Sequence, residues 1–184
     1  LEGYEADDIL GTVSRQMERA GLSVSIVSGD RDLLQLATGK IQIRIPKTKA
    51  TGTEIEDYYA DQVKEKYQVT PTQFIDLKAL MGDTSDNIPG VPGIGEKTAT
   101  KIIVQYGSIE EAYAHVDEIM PARARESLRN HYDLAQMSKT LATIDLQVPF
   151  TLDQTAARIE NLYTPEALEL CRRLEFKNLL GRFS

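Results

Sequence analysis

Residues 81 to 98 read MGDTSDNIPGVPGIGEKT, and no regular helix or strand can run through them. Proline lacks a backbone donor and glycine opens conformations closed to other residues, so Gly82, Pro89, Gly90, Pro92, Gly93 and Gly95 together demand a turn. The flanks read as helices. TPTQFIDLKALMG has Thr70 as N-cap and Pro71 at the first helical position, and EKTATKIIVQYG can turn Ile102 and Ile103 inward. The chain must therefore carry a tight hairpin between two helices, with Asp83 and Asp86 inside the connection.

Upstream, Ile9, Leu10, Val13 and Met17 recur at helical spacing, so residues of about 5 to 20 read as an amphipathic helix closed by Gly21. LSVSIV at 22–27 reads as a buried strand, SGDRDLLQL turns into a short helix, and IQIRI makes a second strand. Helix, strand, helix, strand is a parallel α/β pattern. KTKATGTE is a linker or a hairpin turn. From about residue 55 the pattern becomes helical: DYYADQVKEKYQ, the two helices around the hairpin, SIEEAYAHV, PARARESLRNHYDLAQMSKTLATI and TPEALELCRRLEFKNLL. The expected division is an α/β piece over 1–50 followed by an all-helical domain over 51–184, with the hairpin unit at about 80–105. No internal repeat or low-complexity tract interrupts it.

The chain has 184 residues, 41% of them hydrophobic, which is enough to bury a core as one domain or two small ones. Apolar runs stay far short of the roughly 20 residues that span a bilayer, and no leader pattern is present. One cysteine, Cys171, cannot form an internal disulfide, and LELCRRLEF reads as an apolar helix face with a small buried thiol. These features suit a reducing cytoplasm. His115 and His131, without cysteine partners, exclude an ordinary zinc site. The start at LEGYEADD, without Met, reads as a fragment with something upstream.

Three groups of acids stand out. Glu5, Asp7 and Asp8 open the first helix, where acids commonly cap free amides. Asp30 and Asp32 follow the C-terminal end of a strand, where α/β proteins build their sites, and in extended chain they project to one side. A helix cap accounts for one of that pair, less readily for both. Asp83 and Asp86 are three apart and can share a face, or close an Asx turn. With so little histidine available, seven acids in three groups favour an all-oxygen site for Mg²⁺ or Mn²⁺. Charge agrees with this: net charge is −7, and taking seven acids from the 28 Asp plus Glu leaves 21, matching the 21 Lys plus Arg. A balanced surface remains, compatible with a nucleic-acid partner.

In GVPGIGEKTATKI, Gly93 and Gly95 flank one apolar residue, Ile94, and a helix opens immediately after. Glycines let another backbone come close, and the first amides of a helix favour a phosphate. Lys97, Thr98 and Lys101 add charge and a hydroxyl. Such contacts hold a strand by its backbone without reading bases. A Walker loop is excluded because Glu96 separates Gly95 from Lys97, and a dinucleotide fingerprint because Thr98 stands where the third glycine belongs. The remaining alternative is a turn that only packs two helices.

EADD, SGDRDLLQL and MGDTSDNIPGVPGIGEKTA resemble the 5′-nuclease domain of bacterial DNA polymerase I, within the flap endonuclease family, and the resemblance extends to the closing LCRRLEFKNLL. It implies a PIN-like α/β core with a partial parallel sheet, followed by an all-α SAM-like domain with a helix-hairpin-helix motif. It implies that Glu5, Asp7, Asp8, Asp30, Asp32, Asp83 and Asp86 serve two divalent ions, Glu5 and Asp7 foremost among the helix-borne ligands. It places duplex contacts at Gly90, Gly93, Ile94, Gly95, Lys97, Thr98 and Lys101, with K⁺ at hairpin carbonyls. The family's first strand, a further acid and its Lys- and Arg-rich arch have no counterpart in these residues.

The activity implied is hydrolysis of DNA phosphodiesters at 5′ ends and flaps by two ions roughly 4 Å apart. The partners implied are double-stranded DNA with a 5′ end or flap and the remainder of DNA polymerase I in the same polypeptide, the chain acting as a monomer. For these residues alone the expectation is weak duplex binding and little cleavage. A noncatalytic helix-hairpin-helix DNA-binding module is the alternative, and a PIN-type ribonuclease or phosphatase leaves GVPGIGEKT without a role.

Overall fold

A computed structural model describes residues 1–50 and 52–183. Thr51, in the stretch read above as linker or turn, lies outside the described residues, as does Ser184. The chain divides into two compact units, Leu1–Phe150 and Thr151–Ser184.

The first unit opens with α1 (Ala6–Arg19), closed by Gly21 at φ +86°. Its buried residues are Gly11, Thr12 and Ser14, so the inward face is not the Ile9, Leu10, Val13, Met17 stripe read from periodicity, of which Leu10 is exposed. Close approach is the reason. A Cβ on Gly11 would come within 2.9 Å of Ile144 Cγ2. Only small side chains fit where the segment after residue 143 crosses the helix.

Strand β1 (Val24–Val27) pairs parallel with β2 (Ile41–Lys49), as the α/β pattern predicts. It is shorter and less buried than expected: Ile26 alone is in the core, while Leu22 and Val27 are exposed. Asp32–Leu36 forms a short 3-10 turn that buries Leu33, Leu34 and Leu36. A third strand, β3 (Gly52–Tyr58), pairs antiparallel with β2, which makes the sheet mixed and ordered β1-β2-β3. Within KTKATGTE, residues 47–49 and 52–54 thus belong to two paired strands, and Asp57 and Tyr58 belong to β3 rather than to the helix expected from DYYADQVKEKYQ. TEIEDY hides its strand character because acids fall on both faces, Asp57 opposite Arg44 and Glu56 opposite buried Ile45. Cross-strand pairs compensate: Arg44 Nε lies 2.8 Å from Asp57 and Lys47 Nζ 2.6 Å from Glu56.

Helices follow as α2 (Ala60–Tyr67), α3 (Pro71–Met81), α4 (Glu96–Tyr106), α5 (Ile109–Ala114), α6 (Ala122–Asn130) and α7 (Tyr132–Ala142). Thr70 Oγ1 accepts from Gln73 N at 3.2 Å and Pro71 occupies the first turn, the start read from sequence. PARARESLRNHYDLAQMSKTLATI breaks at His131 into α6 and α7. Helix α3 sits at the centre, against α7, α4 and the Asp32–Leu36 turn, and buries Phe74, Leu77 and Leu80. Each such side chain contributes about 2 kcal/mol from area removed from water. Its buried Asp76 accepts from Ile109 N at 3.0 Å and pairs with Lys139 at 2.7 Å, which ties α3 to α5 and α7.

The second unit holds α8 (Pro165–Arg173), N-capped by Thr164, and α9 (Lys177–Leu180). Neither helix has a buried residue, and Cys171 is partly exposed rather than buried as its neighbours suggested. No helix among the described residues is long and apolar enough to cross a membrane.

Candidate metal centre

Two clefts in the first unit share Asp30, Asp32, Ser85 and Asp86. One, of about 650 Å³, is also lined by Asp83, Lys78, Glu96 and the apolar Tyr67, Phe74, Leu77 and Met81. The other adds Glu5, Asp7, Asp8 and Asp145. All seven acids singled out in the sequence therefore face one of two adjoining spaces. Three converge more tightly: Asp32, Asp83 and Asp86 each offer an oxygen within 4.8 Å of the others.

Each carboxylate reaches this place by a local device. Asp30 Oδ1 accepts from Asp32 N at 2.9 Å, so Asp30 caps the turn and Asp32 is left to point into the cleft. Asp83 and Asp86 sit in a turn closed by the Asp83–Ile88 bridge, not on a helical face. Asp83 Oδ1 accepts from Ser85 N at 2.8 Å, the Asx turn that the spacing left open, and its other oxygen remains on the cleft side. The turn is clasped where Gly82 (φ +71°) and Gly90 (φ +63°) stack backbone on backbone. A Cβ on Gly90 would lie 2.7 Å from Gly82 Cα. Ser138 Oγ accepts from Gly90 N at 2.9 Å, and Val91 N donates to Leu80 O at 2.8 Å, so the clasp is pinned to α7 and α3.

Asp8 differs from its neighbours. Its Oδ2 accepts from Glu5 N at 3.0 Å and its Oδ1 from Asp145 N at 2.8 Å. Both oxygens thus hold backbone, joining the start of α1 to the segment after α7, while Thr12 Oγ1 accepts from Val148 N at 3.1 Å to secure the same crossing. Gln35 makes a parallel tie, donating to Ala142 O at 2.9 Å and accepting from Ile144 N at 3.0 Å.

Lys78 was not anticipated. It lies on α3, is 6% exposed, and its Nζ sits 2.7 Å from Asp32 Oδ1 while also bonding Asp83 Oδ2. A lone lysine in the apolar run FIDLKALM is the sequence signal that marks it, since a buried ammonium needs a partner. Burial works against its charge, but the bonds to Asp32 and Asp83 prevail and raise its pKa above the ordinary value. The hydrogen bond from Lys78, then that from Ser85, holds the Asp83 carboxyl well below the usual range. Burial pushes Asp32 up despite Lys78. Burial, then the charges of Asp30, Glu5, Asp32 and Asp8, pushes Asp7 up. Crowded acids that resist ionisation gain from a cation among them.

The donors fit hard divalent ions. They are all oxygen, and neither histidine lines either cleft. Directly beyond Gly90, Val91 and Ile94 are buried and anchor the hairpin, Gly93 adopts φ +78° beneath the Arg123 side chain, and α4 begins with exposed Lys97 and Lys101 and half-exposed Thr98. The amides of Glu96 and Lys97 at the start of α4 have no intrahelical acceptor, whereas Thr98 N donates to Gly95 O at 3.0 Å. Hairpin and acid cluster are therefore two ends of one connection, joined at the Gly82–Gly90 clasp.

Comparison with known proteins agrees with this architecture. Residues 1–68 match the family model of the 5′-3′ exonuclease N-terminal resolvase-like domain, and residues 69–164 match that of the 5′-3′ exonuclease C-terminal SAM fold. The PIN-like and SAM-like expectation thus stands, with a mixed rather than parallel sheet. DNA polymerase I of Bacillus caldotenax is 47% identical over 184 residues, covering 99% of this chain and 20% of that protein. DNA polymerase I of Bacillus subtilis strain 168 is 44% identical over 182 residues, covering 99% and 20%. The chain thus spans about a fifth of the length of these relatives. Among solved structures, T5 5′-exonuclease with bound divalent zinc aligns at TM-score 0.68 and 27% identity, covering 79% of this chain and 52% of that one. The catalytic core of Rad2 with DNA substrate, at TM-score 0.57 and 18% identity over 96% and 57%, shares the fold. From these matches the chain belongs to the 5′-3′ exonuclease family.

Proposed function

We propose that this chain supplies the carboxylate site and the duplex grip of a structure-specific DNA 5′ nuclease, acting at 5′ ends and flaps in replication and repair. The observation that carries the reading is the convergence of Asp32, Asp83 and Asp86, with Asp83 and Asp86 on the same clasped connection as the glycine hairpin. Metal-bound T5 5′-exonuclease and its pseudo-enzyme-product complex with DNA and metal ions, 29% identical to this chain, support it.

In this reading Asp32, Asp83 and Asp86 hold one divalent ion, and Glu5, Asp7 and Asp30 serve a second across the shared wall of the clefts. Bound Mg²⁺ or Mn²⁺ lowers the pKa of an attacking water and neutralises the leaving 3′ oxygen. Asp8 keeps the start of α1 in place through the two amides it accepts. Gly90, Gly93, Ile94 and Gly95 shape the hairpin, whose carbonyls offer a site for K⁺, and Lys97, Thr98 and Lys101 take phosphates of the unbroken duplex. Backbone contacts of this kind select a strand's structure and not its bases. The chain works as a cytoplasmic monomer joined in one polypeptide to the remainder of a DNA polymerase I, the α/β part ahead of the helical one.

The test is a polypeptide carrying this chain at its genomic length, assayed on a 5′-flap duplex with Mg²⁺. Asp83→Asn is expected to lower cleavage by at least about a hundredfold with flap binding in Ca²⁺ retained. Cleavage unchanged in Asp83→Asn would overturn the reading.

A further inference from the structure

Two of the three carboxylates that converge already hold a cation. Lys78 is fixed by two of them, it is 6% exposed, and it is aimed into the cleft from the central helix. Asp32, Asp83 and Asp86 together carry three negative charges when ionised, and the ammonium leaves two, the charge of a single divalent ion. A divalent ion that takes the oxygens of Asp32 and Asp83 facing Lys78 competes for the atoms the lysine uses. Two charged ligands cannot share those oxygens at full strength, because a cation beside a cation in a half-buried site is repelled.

We propose that Lys78 is an internal counter-cation, standing in the ion position between Asp32 and Asp83 and withdrawing when a divalent ion enters. The proposal rests on the reading of these acids as metal ligands and adds a control to it. In the metal-free chain Lys78 neutralises acids that would otherwise repel one another and loosen the 83–88 turn. The same lysine weakens the ion's hold, which keeps this position exchangeable. The exit is present in the cleft. Beside the apolar Tyr67, Phe74, Leu77 and Met81, its wall carries Asp30 and Glu96, both exposed, so a side chain leaving Asp32 and Asp83 has further carboxylates in the same cleft.

Two measurements on the 184-residue chain test this. Mn²⁺ titrations followed by electron paramagnetic resonance of the free ion are expected to show Lys78→Met binding Mn²⁺ about tenfold more tightly than wild type, with Lys78→Arg within about threefold of it. Unchanged or weaker binding by Lys78→Met, with wild type binding Mn²⁺, overturns the counter-cation and leaves the metal site standing. No Mn²⁺ bound by either form overturns the metal reading itself. The second measurement needs no substitution: amine acetylation read by mass spectrometry, with and without saturating Ca²⁺. Labelling of Lys78 is expected to rise about tenfold on Ca²⁺ addition while Lys139, paired with Asp76 and Glu110, stays constant. Lys78 labelling that is unchanged or falls overturns the proposal.

Discussion

Replacing Gly90 by alanine puts a methyl group where the structure has another backbone. The added Cβ would stand 2.7 Å from Gly82 Cα and 2.7 Å from the Met81 carbonyl carbon, closer than such atoms approach. Neither neighbour is a side chain that can rotate away. The residue also holds φ +63°, which costs a non-glycine about 1–2 kcal/mol. Separating the two strands strains the Ser138 Oγ to Gly90 N bond at 2.9 Å, a buried interaction whose loss costs about 1–3 kcal/mol. The sum is a destabilisation of about 2–5 kcal/mol. In urea, with a slope of about 1–3 kcal/mol per molar, the unfolding midpoint should fall by at least about 0.7 M. Gly95→Ala is the matched control, because Gly95 has a negative φ and open space around its Cβ position, and it should shift the midpoint little. Circular dichroism of both variants decides it. If Gly90→Ala and Gly95→Ala unfold within about 0.5 kcal/mol of each other, the clasp does not hold the acid-bearing turn and the reasoning fails.

Glu56 gives a pH prediction. Hydrogen bonds from Lys47, then Tyr58, then Lys66 lower its pKa from 4.5 to about 2. A depressed folded value means the stabilisation is present above pH 4.5 and is lost as pH falls toward about 2. Acid unfolding of Glu56→Gln should therefore be flatter than wild type across that window; parallel curves would contradict it. Asp8 and Asp86 should separate structure from ion binding. Asp8→Ala, which removes the acceptor for two backbone amides, should destabilise the metal-free chain by about 1–3 kcal/mol in urea unfolding. Exposed Asp86→Asn should leave metal-free stability within about 0.5 kcal/mol and weaken Mn²⁺ binding measured by calorimetry.

What was legible in the sequence was local. Thr70 with Pro71, Gly21 after α1 and the turn-forming run from Gly82 to Gly95 act through their own backbone neighbours, and the structure uses them as read. β3 was hidden because its stability comes from pairing: Glu56 and Asp57 are strand residues only opposite Ile45 and Arg44. The inward face of α1 was misread because Gly11 and Thr12 are buried by a segment more than 130 residues away in sequence, which favours small size over hydrophobicity. Spacing left Asp83 and Asp86 open between a shared face and an Asx turn; the structure takes the Asx turn and adds a backbone clasp that spacing does not show. Lys78 is marked in the sequence as a lysine within an apolar run, but its role was hidden for the same reason as β3, since its partners Asp32 and Asp83 come from separate elements.

The central claim is that separated acids form one ion site beside the hairpin. Crystals of the chain soaked in Mn²⁺, measured for anomalous scattering, test it directly. The account predicts an anomalous peak ligated by Asp32, Asp83 and Asp86 in wild type, absent from Asp32→Asn with Asp83→Asn. Clefts without an anomalous peak at millimolar Mn²⁺, or Mn²⁺ bound only at other acids, would contradict it.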